Sequence, residues 1–159
     1  MEFRADRLKT LSDAVSCRSL TYDYDAADRL RTLTSASPGG KQEFGYDDLD
    51  RITSHTLRNA AGSQLAKITY GWDKNDNLLS KVTAGTAGAG TNTYAYDQAD
   101  RMTSWTAPDG TTTTYEWDDS GNRVKVGDTP FVYDERNRLL SGGATEYSHR
   151  RRRLRRRRL

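Results

Sequence analysis

The chain has 159 residues, and only 34% of them are hydrophobic, below the share of roughly 45 to 50% that is usual in globular domains. This composition disfavours a thick apolar core, and no stretch approaches the run of roughly 18 apolar residues that a membrane-spanning helix needs. The formal net charge of +3 comes from one segment, because residues 150–159 hold eight arginines; without them the 25 basic residues fall to 17 against 22 acidic ones, a net charge of −5.

The first 18 residues predict a truncated first repeat or an irregular N-terminus. Ala5-Asp6-Arg7-Leu8 matches Ala27-Asp28-Arg29-Leu30 at a spacing of 22 residues, as in a repeat whose aromatic strand is missing. The weak apolar pattern from Arg4 to Val15 also suits the start of a helix. Residues 1–11 are charged and lack the apolar core of a secretion signal.

From residue 19 to residue 147 the chain repeats one pattern six times: an aromatic residue, any residue, a second aromatic residue and Asp, with Arg or Asn four residues after the Asp. The second aromatics lie 22, 26, 24, 21 and 16 residues apart. A period in this range is the signature of a stacked repeat architecture. The residues predicted to define the repeat structurally are Tyr22, Tyr24, Asp25, Arg29, Phe44, Tyr46, Asp47, Arg51, Tyr70, Trp72, Asp73, Asn77, Tyr94, Tyr96, Asp97, Arg101, Tyr115, Trp117, Asp118, Asn122, Phe131, Tyr133, Asp134 and Arg138.

Each copy predicts a β-hairpin. Aromatics at positions i and i+2 point to the same face of an extended strand, and the residues between them are mostly small or polar. An aliphatic residue usually follows the Arg or Asn, as at Leu30 and Ile52, which suits a returning strand. The sequence therefore predicts an all-β array of about six antiparallel hairpins, a curved open sheet with its aromatic rings on one common surface.

The Asp of each copy lies where the strand reverses, so its carboxylate can accept hydrogen bonds from N–H groups one or two residues on. The third residue after this Asp is predicted to have a left-handed backbone, which glycine, Asn and Asp tolerate best; it is Asp28, Asp50, Asp76, Asp100, Gly121 or Asn137. The fifth copy has Arg123 before its aliphatic Val124, one residue more than the others, which predicts a bulge or a longer turn. Pro108-Asp109-Gly110 predicts a type I turn between copies.

The aromatic-Asp-x-x-(Gly/Asp/Asn)-(Arg/Asn)-aliphatic unit resembles the YD repeat of the rearrangement-hotspot (Rhs) proteins, of the corresponding subunit of insecticidal toxin complexes and of the teneurins. The resemblance covers about residues 19–147. It implies hairpins that coil side by side into part of a hollow β-shell, which in the bacterial members encloses a C-terminal toxin polypeptide. It also implies that this chain is a fragment, because a complete shell needs far more repeats than six.

The function that this resemblance implies is structural and non-catalytic. The expected partner is the remainder of a larger Rhs-type chain or an encapsulated toxin polypeptide, and the expected destination is secreted or on the cell surface. The self-cleaving region and the toxin domain that follow the repeats in toxin-carrying members are not recognisable in this sequence.

The same aromatic stripe leaves a second function open, that of a carbohydrate-binding or adhesion module. An aromatic ring packs on the apolar face of a sugar while a neighbouring Asp accepts hydroxyl hydrogen bonds. The regular recurrence of these residues favours the structural interpretation, because every hairpin needs the same packing and the same turn.

Residues 148–159 predict an Arg-rich, disordered tail. Tyr147-Ser148-His149 stands where a seventh aromatic pair is due, and the pattern ends there. Three interpretations of the arginines remain open: nonspecific binding to an anionic surface, a solvated terminus, or an out-of-frame translation.

The sequence gives little support to catalysis, to a cofactor or to a metal site. His55 and His149 are the two histidines, and neither is close in sequence to a plausible nucleophile. Cys17 is the single cysteine, so it forms no internal disulfide and no cysteine-rich zinc site. The carboxylates recur with the repeat and do not stand out as a pair.

Overall fold

The computed structural model describes residues 2–4, 7–13, 15, 18–37 and 39–149, and the regular elements of these ranges are all β-strands. Fifteen strands form one sheet, in which neighbours in space follow the order of the chain. The strands are β1 (Glu2–Arg4), β2 (Arg7–Asp13), β3 (Arg18–Tyr24), β4 (Leu30–Ser35), β5 (Gly40–Tyr46), β6 (Ile52–Arg58), β7 (Gln64–Trp72), β8 (Leu78–Ala84), β9 (Gly90–Tyr96), β10 (Met102–Thr106), β11 (Thr112–Trp117), β12 (Arg123–Val126), β13 (Thr129–Tyr133), β14 (Leu139–Gly142) and β15 (Thr145–Glu146).

All fourteen neighbouring pairs of strands are antiparallel. Each predicted copy forms one hairpin, and we number these hairpins 1 to 6 as β3–β4, β5–β6, β7–β8, β9–β10, β11–β12 and β13–β14. The predicted all-β array of antiparallel hairpins is confirmed. The helical alternative for the N-terminal segment is wrong, because the residues described there form β1 and β2.

The strand register places the first aromatic of every hairpin on the same face of the sheet, since directly paired residues share a face. Tyr22 pairs with Leu33, and Tyr94 pairs with Trp105. The rings of Tyr70 and Trp72, two residues apart on β7, lie 6.5 Å apart and so also share this face. We call it the aromatic face.

The opposite face is polar and rich in Ser and Thr. Glu43 accepts from both Lys41 and Arg58 at 2.6 Å, and Lys125 lies 2.9 Å from Glu116. Among the described residues no hydrophobic side chain is buried, and Thr56 is the single buried residue. The fold is thus a one-layer strip without a closed core, as the composition indicates.

A β-bulge interrupts every hairpin at the same place. In hairpin 1, Asp23 pairs with Thr32 but Tyr24 pairs with Leu30, so that Arg31 has no partner residue. The same skip recurs in hairpins 2 to 6. Bulges bend the strand that contains them, so a bulge in each repeat gives the sheet a regular curvature.

The bulge of the fifth copy is the same as the others, so a longer turn there is a wrong prediction. Trp117 pairs with Arg123, just as Tyr24 pairs with Leu30. Arg123 therefore takes the place of the aliphatic residue, and no residue is inserted.

A strand, β1, precedes β2 at the N-terminus, where the sequence pattern predicted a repeat without its aromatic strand. The backbone of β1 pairs with β2, and Phe3 lies opposite Leu8. This pair follows a register shift like that before Tyr24 and Leu30 in hairpin 1.

Candidate functional site

The aromatic-Asp turn of each hairpin is closed by its Asp. In hairpin 1 the backbone N–H of Asp25 donates to the carbonyl of Arg29 at 2.9 Å, and the N–H of Asp28 donates to the carbonyl of Asp25 at 3.1 Å. Asp25 Oδ1 accepts from the N–H groups of Ala27 and Arg29 at 2.9 and 3.0 Å. One carboxylate thus satisfies N–H groups two and four residues on; the first of these bonds agrees with the sequence prediction, and the second lies farther along the turn than predicted.

The residue four positions after the Asp completes this turn with its side chain. Arg29 Nε donates to Asp25 Oδ2 at 2.7 Å, and Arg51, Arg101 and Arg138 repeat the bond at 2.7 to 2.8 Å. In hairpin 3 Asn77 Nδ2 donates to its Asp at 3.1 Å instead. Either Arg or Asn can occupy this position, because each carries an N–H donor that reaches the second carboxylate oxygen.

These bonds lower the pKa of all six turn carboxylates, because they favour the charged form. The N–H of Arg29 is the main cause at Asp25, ahead of the Arg29 guanidinium. Partial burial opposes the shift at Asp47, but the guanidinium and N–H of Arg51 outweigh it and hold the pKa below its ordinary value. The pKa of Asp134 is lowered furthest, first by the side chain of Arg138 and then by its N–H.

The left-handed position is occupied as predicted. Asp28, Asp50, Asp76, Asp100 and Asn137 have φ between 56° and 66°, and Gly121 has φ of 82°. The two Asp residues of a turn have different environments: in hairpin 2 the side chain of Asp47 is 24% exposed, whereas that of Asp50 is 74% exposed.

The guanidinium of one turn also reaches the turn of the next hairpin. Arg29 Nη1 donates to the carbonyl of Asp47 at 2.9 Å and to Asp50 Oδ1 at 2.7 Å. Its guanidinium carbon lies 4.8 Å from the centre of the Tyr46 ring, within the range of a cation–π contact. We call the set of contacts between two consecutive hairpins a joint.

The same joint recurs on both sides of hairpins 1 and 2. Arg51 reaches Asp76 at 2.7 Å and lies over the Trp72 ring. Arg7 is hydrogen-bonded to Asp28 and lies over the Tyr24 ring. Arg7 thus makes the forward contact of a repeat Arg.

Later joints use weaker versions of the contact. Asn77 Nδ2 donates to Asp100 Oδ1 at 2.7 Å. Arg101 lies over the Trp117 ring, but its forward hydrogen bond goes to the carbonyl of Asp118, at 3.0 Å, because the left-handed residue of the next turn is Gly121. Asn122 Nδ2 donates to Asn137 Oδ1 at 3.0 Å.

A second bond crosses every joint, from the second aromatic ring to the carbonyl at the bulge of the preceding hairpin. The donors are Tyr hydroxyls or Trp indole N–H groups, and the distances range from 2.8 to 3.3 Å. The pairs are Tyr24 with Leu8, Tyr46 with Leu30, Trp72 with Ile52, Tyr96 with Leu78, Trp117 with Met102 and Tyr133 with Arg123.

His149 makes the corresponding contact after hairpin 6. Its Nε2 lies 2.7 Å from the carbonyl oxygen of Leu139, and the N–H of Tyr147 donates to the carbonyl of Leu140 at 2.8 Å. His149 stands 16 residues after Tyr133, so a histidine ring takes the place of the seventh second aromatic. Of the tail predicted to be disordered, residues 148–159, the part from residue 150 onward lies outside the described residues, and so do the arginines of the anionic-surface prediction.

The role of the repeat Arg, and the reason why the left-handed residue is so often Asp, were not predicted from the sequence. The signal was present as a spacing: Arg7, Arg29 and Arg51 are each followed by a left-handed Asp one repeat later, at separations of 21, 21 and 25 residues. A reading of single repeats does not reveal a contact between repeats.

The remaining candidate residues do not come together as a reactive site. His55 stacks on Phe44, with ring centres 4.7 Å apart, and its Nε2 lies 2.8 Å from Gln42 Oε1. Cys17 lies outside the described residues. Within those that are described, no group of three His, Cys, Asp or Glu residues is arranged to hold a metal ion, and no helix is long and apolar enough to cross a membrane.

The comparisons with known proteins agree with this geometry. A family model described as teneurin YD-shell matches residues 7–152. The chain belongs to the teneurin YD-shell family. A search of curated protein sequences gives no significant match.

Solved structures similar to this YD-shell chain include crystal structures of TcdB2-TccC3 and a Tc holotoxin pore. The crystal structure of TcdB2-TccC3-Cdc42 is 18% identical and has a TM-score of 0.63 over 79% of this chain and 7% of the other. The structure of TcdB2-TccC3 without its hypervariable C-terminal region is 18% identical, with a TM-score of 0.62 over 79% of this chain and 7% of the other. The Photorhabdus luminescens Tc holotoxin pore is also 18% identical, with a TM-score of 0.62 over 78% of this chain and 7% of the other.

These likenesses show a common fold, and they show that the YD-shell chain spans about 7% of the length of the solved chains that it matches. The resemblance to the Rhs and teneurin repeat that the sequence predicts is confirmed by the family match and by the fold.

Proposed function

We propose that this chain is a non-catalytic wall segment of a larger Rhs-type shell, which encloses or presents another polypeptide. The observation that carries the proposal is that equivalent positions of the repeat make every joint. The Arg or Asn of one hairpin donates to the turn of the next hairpin, either to its left-handed residue or, where that residue is Gly121, to the carbonyl of Asp118, so hairpins add to one another in one direction.

The repeat-defining residues are proposed to act through this joint. The six Asp carboxylates are used within their own turns, and the second aromatic rings donate their polar hydrogens to backbone carbonyls. A wall made in this way is held by contacts along its edge, so it needs no thick core. The same engagement weakens the carbohydrate-binding alternative, since these rings and carboxylates are occupied by protein partners.

The proposed partner is the remainder of a larger chain or an encapsulated toxin polypeptide, and the proposed destination is secreted or on the cell surface. Support comes from the YD-shell family match and from the fold shared with Tc toxin structures.

The experiment that tests this function is purification of the native gene product from producing cells, followed by electron microscopy and trypsin treatment. We expect hollow particles and a polypeptide that trypsin cleaves only after the particles are opened by denaturant. Particles without a lumen, together with equal cleavage before and after opening, would contradict the proposal. A glycan array on the same sample tests the adhesion alternative, for which binding above that of a control protein is the supporting result.

A further inference from the structure

The joints of the array fall into two groups. Those before hairpins 1, 2 and 3 each contain an ion pair between an Arg and the left-handed Asp of the next turn. In the described structure no ion pair crosses the joints before hairpins 4, 5 and 6, where the forward donors are Asn77, Arg101 and Asn122. A hydrogen bond between charged partners is stronger than one between neutral partners.

The joint between hairpins 5 and 6 combines several weak features. Its forward bond joins two neutral amides, Asn122 and Asn137. Its ring bond, from the Tyr133 hydroxyl to the carbonyl of Arg123, is the longest of the six at 3.3 Å. No cation lies over the Tyr133 ring among the contacts described, in contrast to Tyr46 and Trp72.

Backbone pairing is also weakest at this joint. β12 and β13 share two residue pairs, Lys125 with Pro130 and Val126 with Thr129, whereas β6 and β7 share five. Pro130 has no backbone N–H, so it cannot donate to its neighbour. Fewer backbone bonds and no ion pair mean that separation of these two hairpins costs less than separation of hairpins 2 and 3.

We infer that hairpin 6, together with β15, separates from the array as a unit while hairpins 1 to 3 stay joined. The wall then contains a flap hinged at the two-residue turn Gly127-Asp128, between β12 and β13. Opening of this flap requires no cargo and does not depend on the proposed wall function. Opening would move hairpin 6 relative to hairpin 5 without disturbing the ion-paired joints before hairpins 1, 2 and 3.

Hydrogen–deuterium exchange of backbone amides, read by mass spectrometry on the full chain, measures this separation. We expect the amides of residues 129–142 to exchange faster than those of residues 40–58. The double variant Asn122→Arg, Asn137→Asp rebuilds the Arg–Asp pair of the earlier joints, and it should slow exchange in residues 129–142 roughly fivefold. Residues 40–58 should be unaffected.

The matched control is Asn77→Arg, which adds the same guanidinium opposite Asp100, at a distant joint, and should leave residues 129–142 unchanged. Equal protection of residues 129–142 and 40–58 in the wild-type chain would overturn the inference, and so would equal slowing of residues 129–142 by the control. If the double variant does not fold, Asp76→Asn gives the reciprocal test. It removes an ion pair from the joint before hairpin 3 and should raise exchange in β6 and β7; unchanged exchange there contradicts the inference.

Discussion

Arg29 Nη1 lies 2.7 Å from Asp50 Oδ1, while Nε of the same guanidinium lies 2.7 Å from Asp25 Oδ2. One side chain therefore closes its own turn and joins it to the next. A planar fork of N–H donors suits this double role, whereas a lysine ammonium is a single point of charge. The repeat pattern can be understood as the minimum set of residues that closes one turn and forms hydrogen bonds to the next turn.

The first prediction concerns the shape of this donor group. Arg29→Lys should lower Tm by several degrees, because lysine cannot reach Asp25, the Asp47 carbonyl and Asp50 together. Arg31→Lys is the matched control, since exposed Arg31 makes no side-chain hydrogen bond to a described residue. Thermal unfolding followed by circular dichroism measures both, and an equal Tm for the two variants would contradict the joint role of Arg29.

The second prediction is a gain of stability at the joint between hairpins 4 and 5. Gly121 has φ of 82°, and a Cβ added there meets nothing within 4 Å. Gly121→Asp should raise Tm, because four equivalent positions already hold Asp and the new carboxylate faces Arg101. Gly121→Asn is the matched control, because Asn also tolerates the left-handed backbone but carries no charge, and we expect its Tm to be lower than that of Gly121→Asp. A Tm for Asp no higher than that for Asn would show that Arg101 gains nothing from the new acid.

The third prediction concerns the bond from the ring to the bulge. Tyr46→Phe removes the hydroxyl that donates to the carbonyl of Leu30 and should cost about 1 kcal/mol of unfolding free energy. Tyr22→Phe, on the preceding hairpin, is the control, because Tyr22 makes no side-chain hydrogen bond to a described residue. Urea unfolding gives both values, and a Tyr22 cost as large as that of Tyr46 would show that the bond to Leu30 does not contribute to stability.

The fourth prediction is the response to acid. The pKa values of the turn carboxylates are lowered in the folded chain, so each contributes stability that is present above its unfolded pKa of about 4 and is lost as pH falls through the folded value. Tm should be flat between about pH 5 and 7 and fall steadily below about pH 4. Asp97→Asn removes one such carboxylate, so Tm should fall less steeply below about pH 4. An unchanged dependence of Tm on pH would contradict the contribution of Asp97.

The fifth prediction separates backbone conformation from crowding. Gly85 and Gly62 have similar φ values of 81° and 83°, but a Cβ on Gly85 would overlap the carbonyl oxygen of Leu65, whereas one on Gly62 meets nothing within 4 Å. Gly62→Ala should cost about 1 to 2 kcal/mol through its left-handed backbone, and Gly85→Ala should cost clearly more. Equal costs in urea unfolding would mean that the Leu65 backbone moves aside freely.

Much of this protein was determined by the sequence alone, because its local pattern repeats. Alternation in Tyr22 and Tyr24 sets the strand and its aromatic face, and Asp25 with Asp28 sets the turn and its left-handed residue, so both follow from chemistry within a few residues. The equal length of the fifth turn did not follow, because the sequence shows Arg123 where an aliphatic residue was expected but not which residue Trp117 faces.

Only the tertiary structure decided what joins one hairpin to the next. The partners Arg29 and Asp50 are 21 residues apart, and they meet only because the bulge and the register bring consecutive turns to the same edge. The same holds for His149, which the sequence presents as a broken repeat and the fold places on the carbonyl of Leu139. Side-chain identity fixes which bonds are possible, but backbone geometry over a whole repeat fixes which of them are made.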